Sequence, residues 1–348
     1  MKTCQFGVQL GHFAAILCAA FGVGGLPSTA LAGEADLKLA VPVSCELGSE
    51  CFVQNYVDLD PGPGVLDVMC GTAAYDGHKG TDFRVLNIGQ TANVLAAASG
   101  TVTGIRNSVS DRLIQSERDR AAVKGTECGN GLVIDHGDGW ETQYCHMRRG
   151  SVAVKPGQKV ERGAFLGKVG YSGLAEFAHL HLSVRKNGRP IDPFLGTVDA
   201  GKQRKSDCVT GLAKPLGGSG LWLDDIRPLL EDARGALLES GFSGSVVKPI
   251  DLEAGGVEPA KATSAALVFY ARFINVQKGD RILMTVTGPD GFKVRADNDP
   301  LPKNKAHWVS FAGKKLRGDR WPSGTYQGEA ALVRDGKVLL RTQENMQL

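Results

Sequence analysis

The stretch AEFAHLHLSVR, residues 175–185, places two histidines two positions apart in a sequence typical of a β-strand. Because side chains in a strand alternate between its faces, His179 and His181 point one way, whereas Leu180 and Leu182 point the other way. The leucines are suited to a core. Two adjacent imidazoles on the opposite face belong either to an ordinary solvent-facing surface or to a metal site, and this pair alone leaves both alternatives open.

A second pair of chemically competent side chains lies in YDGHKGTDFRV, where His78 precedes Asp82 by four positions. That spacing would place both side chains on one face of a helix, but Gly77 and Gly80 make a helix unfavourable here. A loop that enters a strand would instead turn both side chains toward one point. Alone, this spacing is also a weak signal.

Two further histidines occur in the segment between these pairs. His146 lies in the strand-like ETQYCHMRR, where alternation predicts that Thr142 and Tyr144 share its face. His136 falls at the turn that precedes this strand, and we expect it to be structural.

The combination is more informative than its parts. Catalytic zinc sites commonly take two histidines and one carboxylate, or three histidines, and keep one position for water. His78, Asp82 and the His-x-His strand provide such a set with one histidine to spare, and His146 is a second spare. Because the sequence has no HExxH helix with its glutamate base, the spare histidines are the candidates for general acid and base, since imidazole titrates near neutral pH.

The segment from about 65 to 195 resembles the lysostaphin/LytM-type zinc metallopeptidases, which have the duplicated hybrid motif fold and cut peptide cross-links in bacterial peptidoglycan. The resemblance rests on five ordered blocks: GHKGTDF, GNGLVIDHGDGWETQYCHM, VKPGQKVERGAFLGKVGYSG, AHLHLSV and GRPIDPF. It implies a groove across an antiparallel β-sheet. It also implies that Zn²⁺ is held by His78, Asp82 and His181, and that His146 and His179 act on the reacting groups.

Four other features bear on this predicted site. Tyr75 and Tyr144 are candidate additional donors to the substrate. Cys145, next to His146, stands where many relatives carry a small residue, and the charged segment 111–125 is a longer insertion than many relatives have, which we expect to form a helical surface feature beside the groove.

The resemblance implies an exported zinc metalloendopeptidase that hydrolyses peptide cross-links of peptidoglycan. The alternatives are a non-catalytic activator of other wall hydrolases, as some relatives that have lost metal ligands are, and a wall-binding protein that uses its C-terminal domain. The presence of all five site residues favours the enzyme. The sequence leaves open which peptide bond is cut.

Composition limits the other classes of function. A chain of 348 residues is long enough for about two domains. A net charge of +3, spread evenly, argues against a nucleic-acid partner. Residues 1–32 read as a signal peptide, with Lys2, an apolar run over 13–23 and a small-x-small site at 30–32. That run is short and broken by glycine, so we expect no stable membrane span, a retained anchor being the less favoured alternative.

Cysteine usage agrees with export to the periplasm or beyond. Cleavage after Ala32 leaves six cysteines, an even number that an oxidising compartment would pair. Cys45 and Cys51 would close a short loop, and Cys128 and Cys145 flank a predicted hairpin that turns at Asp138-Gly139. The remaining two, Cys70 and Cys208, form the third pair by default.

The elements that position the site are expected to be mostly strands. We predict an N-terminal extension over 33–64, an antiparallel β-sheet metallopeptidase domain over 65–198, a linker over 199–220 and an immunoglobulin-like β-sandwich over 221–348. The fold class is therefore all-β dominated.

Within the C-terminal part, a short helix interrupted early by Pro228 is followed by strands with period-two alternation. Two predicted inward faces consist of Leu267, Phe269, Ala271 and Phe273, and of Ile282, Met284 and Val286. The segment EAALVRDGKVLLR predicts a hairpin that turns at Asp335-Gly336.

Overall fold

The structure, a computed structural model, describes residues 37–216, 220–231 and 235–348. The predicted signal peptide over 1–32 lies outside these residues. The named strands pair antiparallel with one another, and they greatly outnumber the helices, which confirms the predicted all-β class. Within the described ranges, none of the helices combines the length and apolar character needed to span a bilayer.

The first part of the described chain contains eleven strands and two helices. In chain order they are β1 (Val43–Ser44), β2 (Cys51–Asn55), β3 (Thr81–Val85), β4 (Asn93–Leu95), β5 (Gly100–Arg106), α1 (Glu117–Ala122), β6 (Asn130–Gly137), β7 (Trp140–Met147), β8 (Lys159–Val160), β9 (Phe165–Lys168), β10 (His179–Lys186), β11 (Arg189–Ile191) and α2 (Val198–Thr210).

The described residues of the second part contain two short α-helices, a 3-10 helix at Pro289–Gly291 and seven strands. The α-helices and strands are α3 (Arg227–Leu230), β12 (Ala236–Ser243), α4 (Pro249–Glu253), β13 (Ala266–Val276), β14 (Arg281–Thr287), β15 (Lys293–Asp297), β16 (Lys305–Lys315), β17 (Thr325–Arg334) and β18 (Lys337–Gln347).

Two sheets form the first part. An eight-stranded sheet has the order β2-β3-β10-β7-β6-β5-β8, with β11 added to β10, and a three-stranded sheet has the order β1-β4-β9. Their facing side chains share one apolar core, to which Val94 and Leu166 contribute from the small sheet and Ile134 and Leu182 from the large one. Strand β10 therefore lies near the middle of the large sheet, with one face in the core.

Turn chemistry and cysteines behave as the sequence predicts. Strands β6 and β7 pair as a hairpin, and both turn residues, Asp138 and Gly139, have positive φ, at 50° and 76°, as a tight two-residue turn requires. The three predicted disulfides are all formed, Cys45–Cys51, Cys70–Cys208 and Cys128–Cys145.

The segment 199–220, predicted as a linker, contains most of helix α2. The Thr197 side chain caps the helix by accepting a hydrogen bond from the third residue beyond it, and Gly211 ends it in the left-handed conformation at φ 72°. None of the helical residues is buried, so the sequence shows no apolar stripe that would indicate a helix. A disulfide through Cys208 ties its last turn to the body of the protein.

The charged insertion over 111–125 contains the predicted helix, α1. Ser116 caps its N-terminus by accepting a hydrogen bond from Asp119. The helix buries none of its residues, as expected of a surface feature.

The C-terminal strands form a three-stranded sheet, β12-β13-β16, and a four-stranded sheet, β15-β14-β17-β18. The two sheets enclose a shared core, and both predicted inward faces are buried: Leu267, Phe269, Ala271, Phe273, Ile282, Met284 and Val286. The predicted hairpin is β17–β18, with Asp335 and Gly336 at positive φ. The immunoglobulin-like assignment of this sandwich stays a prediction.

Pro228 does not interrupt a helix. It occupies the first turn of α3, where a missing backbone N–H leaves no intrahelical hydrogen bond unmade. The apolar residues that follow in the sequence continue as strand β12.

Candidate metal centre

Strands β3 and β10 position the centre. They pair antiparallel with His181 directly opposite Asp82. Phe83 and Leu182 occupy the other faces of these strands, are 0% exposed, and lie in the core, so alternation turns Asp82 and His181 to the groove side. His78 joins them from the loop that immediately precedes β3.

The three predicted ligands converge on one point. His78 Nε2 lies 3.1 Å from Asp82 Oδ1, His181 Nδ1 lies 2.8 Å from the same oxygen, and the two nitrogens are 3.0 Å apart. His78 and Asp82 are buried, and His181 is partly buried. One donor atom from each residue therefore lies within 4.8 Å of the other two.

Outer hydrogen bonds fix which atoms face inward. His78 Nδ1 lies 2.6 Å from the Tyr56 carbonyl oxygen; since a carbonyl only accepts, that nitrogen carries the proton and Nε2 presents a lone pair. His181 Nε2 lies 2.9 Å from Ser183 Oγ, which leaves Nδ1 for the centre. Asn55 Nδ2 donates to Asp82 Oδ2 at 2.8 Å, so the other carboxylate oxygen faces the histidines. Such outer contacts are typical of metal ligands.

This donor set fits zinc. Two imidazole nitrogens and one carboxylate oxygen are a common protein complement of a catalytic zinc ion. Ligands on a tetrahedral zinc at about 2.0–2.1 Å stand roughly 3.3 Å from one another, close to the separations between these three atoms. Three inward-facing acceptors repel one another unless a cation or protons lie between them, so the arrangement itself calls for positive charge.

His146 and His179 lie beside the three ligands. Their rings are 4.6 Å apart, and the ring of His146 is 6.0 Å from that of His181. His146 Nδ1 lies 2.8 Å from the carbonyl of Ser172, and His179 Nδ1 lies 2.9 Å from that of Phe177. Nε2 of His179 is 3.7 Å from Asp82 Oδ1. The structure therefore brings all five predicted side chains together.

The path by which His146 reaches the groove differs from the prediction. Strict alternation would place it with Tyr144, but Tyr144 is 0% exposed in the core. His146 has a φ of 61°, and this left-handed residue breaks the alternation and turns its side chain to the groove. Its backbone N–H donates to Cys128 O at 2.8 Å, so the disulfide-linked loop holds this conformation.

The two tyrosines predicted as donors, Tyr75 and Tyr144, lie in different surroundings. Tyr144 was predicted as a donor to the substrate, and this is wrong, because its hydroxyl accepts from Ala97 N at 2.8 Å inside the core. Tyr75 is 54% exposed and its ring lies 4.4 Å from that of His78, so it remains available. His136, predicted as structural, lies away from the centre and contacts Ser99 O at 2.7 Å.

Charges in the centre are set by burial and by neighbours. Burial acts to raise the pKa of Asp82, but His78, His179 and His181 outweigh it and hold that pKa well below its usual range. Burial, reinforced by His179 and His181, lowers the pKa of His146 well below its ordinary value. Burial also lowers the pKa of His179, with Asp82 opposing it. Against the effect of burial, Asp82 raises the pKa of His78, so the centre combines an ionised carboxylate with a neutral imidazole at His146.

The centre lies between two cavities that form a groove. One, of about 440 Å³, extends past His146 and the Cys128–Cys145 disulfide, and the other, of about 340 Å³, extends past His179. Tyr75 and Leu174 line both cavities. The second cavity is also lined by Ala306 of the C-terminal part.

Sequence reasoning missed the residues that orient the ligands. Ser183 could have been found, because it shares the His179–His181 face. Asn55 and the carbonyl of Tyr56 lie in a segment outside the recognised blocks, and no local pattern signals their role.

Residues 76–193 match the sequence model of peptidase family M23. The peptidoglycan DD-endopeptidase ShyA of Vibrio cholerae is 33% identical over 121 residues, 35% of this chain and 23% of that protein. The peptidoglycan DD-endopeptidase ShyB of the same organism is 31% identical over 133 residues, 38% of this chain and 26% of that protein. The chain thus spans about a quarter of the length of these relatives.

Among solved structures, a zinc-containing peptidase from Vibrio cholerae is 26% identical, with 40% of this chain and 39% of that chain covered and a TM-score of 0.26. The family match itself covers the five converging residues and the strands that carry them. The match of residues 76–193 to peptidase family M23 therefore agrees with the resemblance to LytM/lysostaphin-type peptidases that the sequence motifs indicate.

Proposed function

We propose that this protein is an exported zinc metalloendopeptidase that hydrolyses peptide cross-links of bacterial peptidoglycan. The observation that carries the proposal is the complete centre: three donor atoms, from His78, Asp82 and His181, within 4.8 Å of one another, with two further imidazoles beside them. A regulator that had lost catalysis would have no need of the full set.

His78 Nε2, Asp82 Oδ1 and His181 Nδ1 are assigned as the zinc ligands. When bound there, zinc supplies Lewis acidity, which makes a water molecule more acidic and polarises a peptide carbonyl. The carbonyl of Tyr56, the hydroxyl of Ser183 and the amide of Asn55 hold these three atoms in place.

His146 and His179 are assigned to proton transfer and charge stabilisation. His146 is neutral near pH 7 because its pKa is lowered, and since its Nδ1 lies against the Ser172 carbonyl, its Nε2 accepts a proton from the attacking water. Nε2 of His179 lies 3.7 Å from the Asp82 carboxylate, which favours a protonated ring when charge develops. The protonated ring of His179 then donates a hydrogen bond to the oxyanion of the tetrahedral species, and His146 passes the proton that it took from water to the leaving amine.

The groove suits an extended peptide. Two cavities flank the centre, so chain can extend on both sides of a scissile bond, as an endopeptidase requires. The relatives are named as peptidoglycan endopeptidases, which supports a wall peptide as the substrate. Three disulfides support a location outside the cytoplasm.

Digestion of purified peptidoglycan sacculi by the zinc-loaded protein, followed by mass analysis of the fragments, tests the proposal. We expect soluble muropeptides in which one cross-linking peptide bond has been hydrolysed. His136→Ala serves as the matched control, because it removes a histidine of the same domain that lies outside the centre. A protein that binds one zinc ion and leaves the sacculi intact would instead be an activator or a wall-binding protein.

A further inference from the structure

Arg84 lies two residues beyond Asp82 on the same strand, opposite His179 in the pairing of β3 with β10. Its side chain is 0% exposed. A buried guanidinium needs a carboxylate and well-directed acceptors. Arg84 Nη1 donates to Gln54 Oε1 at 2.6 Å, and Nη2 lies 3.1 Å and 3.0 Å from the two carboxylate oxygens of Glu253.

Glu253 belongs to α4, in the C-terminal part of the chain. Its carboxylate also pairs with Arg272, a second arginine that is 0% exposed. Arg272 in turn contacts Glu239 at 2.8 Å and donates to the carbonyl of Leu86 at 3.0 Å. Two arginines and two glutamates thus form a buried ion-pair network between strand β3 and the C-terminal part.

Apolar contacts accompany this network. Phe52, from β2, shares a cluster of buried side chains with Leu238 and Ile274, from β12 and β13. Asn275 Nδ2 also donates to the carbonyl of Gln54 at 2.9 Å. A joint that combines buried charges with an apolar cluster does not permit the free relative motion expected of loosely tethered domains.

The network reaches His179 through one aromatic ring. The Arg84 guanidinium carbon lies 4.8 Å from the centre of the Phe177 ring. That ring lies 4.4 Å from the imidazole of His179, with 30° between their planes. The Phe177 carbonyl also accepts from His179 Nδ1 at 2.9 Å. Phe177 is therefore held between Arg84 and His179 and contacts His179 with both its ring and its backbone.

We propose that the C-terminal domain is a working part of the active site: Glu253 anchors Arg84, and Arg84 and Phe177 hold His179 in its catalytic orientation. Glu253, Arg84 and Phe177 are positioning residues, and Ala306 of the same domain lines the cavity beside His179. The inference rests on the proposed peptidase function, since it concerns how that chemistry is held in place.

Two substitutions in the full-length, zinc-loaded protein test the inference, each with a matched control. Phe177→Leu removes the ring and leaves the charges, and Phe165→Leu, at an exposed phenylalanine of the same domain, is its control. Glu253→Gln weakens the network from the C-terminal side. Its control is Asp280→Asn, which weakens a buried pair with Arg334 inside the C-terminal domain.

We expect Phe177→Leu and Glu253→Gln to lower kcat by about 10- to 100-fold. Because Glu253 does not line the groove, Glu253→Gln should leave KM and the content of one zinc ion unchanged. Both controls should retain the wild-type kcat. Equal kcat for Glu253→Gln and Asp280→Asn, at similar thermal stability, would overturn the inference.

A readout independent of activity separates this inference from the proposed function. The imidazole Hε1–Cε1 chemical shifts of His179, assigned by substitution, should move in Glu253→Gln and stay in place in Asp280→Asn. An inactive wild-type protein would refute the proposed peptidase. Unchanged His179 shifts in Glu253→Gln would refute the positioning role whether or not the wild type cleaves peptidoglycan.

Discussion

Strand β3 carries two buried charged side chains, Asp82 and Arg84, whose surroundings differ in kind. Asp82 faces one ring nitrogen of His78 and one of His181, and the other ring nitrogen of His78 is already held by a carbonyl. Acceptor atoms therefore crowd together around Asp82. Arg84 faces the carboxylate of Glu253 and the amide oxygen of Gln54, so donors meet acceptors. An excess of inward-facing acceptors indicates a site for a cation, whereas a balanced set indicates a joint between parts of the fold.

The sharpest test of this comparison is the loss of the central carboxylate. Asp82→Asn should abolish both zinc binding and cleavage, because a neutral amide cannot replace the anionic ligand. Zinc should raise the Tm of the wild type, since it binds only the folded state, and should leave that of Asp82→Asn unchanged. Metal analysis and thermal melts with and without zinc measure both effects. Asp135→Asn, an exposed carboxylate of β6, is the control, and equal zinc content in Asp82→Asn would refute the ligand assignment.

The next largest effect concerns the two histidines beside the ligands. His146→Ala and His179→Ala should each lower kcat by about 10²- to 10⁴-fold while one zinc ion stays bound, because each loses a proton-transfer or charge-stabilising group and not a ligand. Steady-state kinetics on a cross-linked muropeptide, together with zinc analysis, measures the separation. Loss of zinc in either variant would move that histidine into the ligand set.

The balanced network should respond in stability instead of zinc binding. Arg84→Met should lower the free energy of unfolding by about 3–5 kcal/mol, because it leaves Glu253 buried with one partner fewer. Its zinc content should match that of the wild type, since no ligand is touched. Urea unfolding and metal analysis of the same samples measure the two quantities. A loss of zinc in Arg84→Met would show that the two clusters on β3 are not separable.

The sequence predicted the metal centre around Asp82 but not the ion-pair network around Arg84. The metal centre was predictable because alternation in AHLHLSV and the spacing of His78 and Asp82 are local, and because the motif blocks resemble a known family. The ion-pair network was not predictable, because its members lie at positions 84, 239, 253 and 272, and only the folded chain brings them together. A lone arginine in a strand carries no signal of its partner.

Two other misses have local causes. The left-handed backbone at His146 reverses the side-chain alternation that places Tyr144 on its face, and a histidine at positive φ has no sequence signature of its own. Helix α2 escapes detection because none of its residues is buried, and its caps, Thr197 and Gly211, are individually common residues.

The smallest expected effect is a pH dependence of the free energy of unfolding, which arises at His307 beside the ion-pair network. Nε2 of His307 accepts a hydrogen bond from Arg272 at 2.8 Å, so the ring is neutral. Burial, together with the charges of Arg272 and Arg84, lowers the pKa of His307 to about 4. In the unfolded chain this pKa returns to about 6.5. As the pH falls from 6.5 toward 4, the unfolded state therefore takes up a proton that the folded state does not, and stability decreases.

The loss assigned to His307 should be at most about 3 kcal/mol across that interval. His307→Gln keeps a hydrogen-bond acceptor and removes the titration, so its stability should fall less steeply than that of the wild type between pH 7 and pH 5. Urea unfolding of both proteins at these two pH values isolates the contribution, because the other histidines titrate in both. Parallel pH dependences would mean that His307 takes up its proton in the folded state without cost, and that the network tolerates another positive charge.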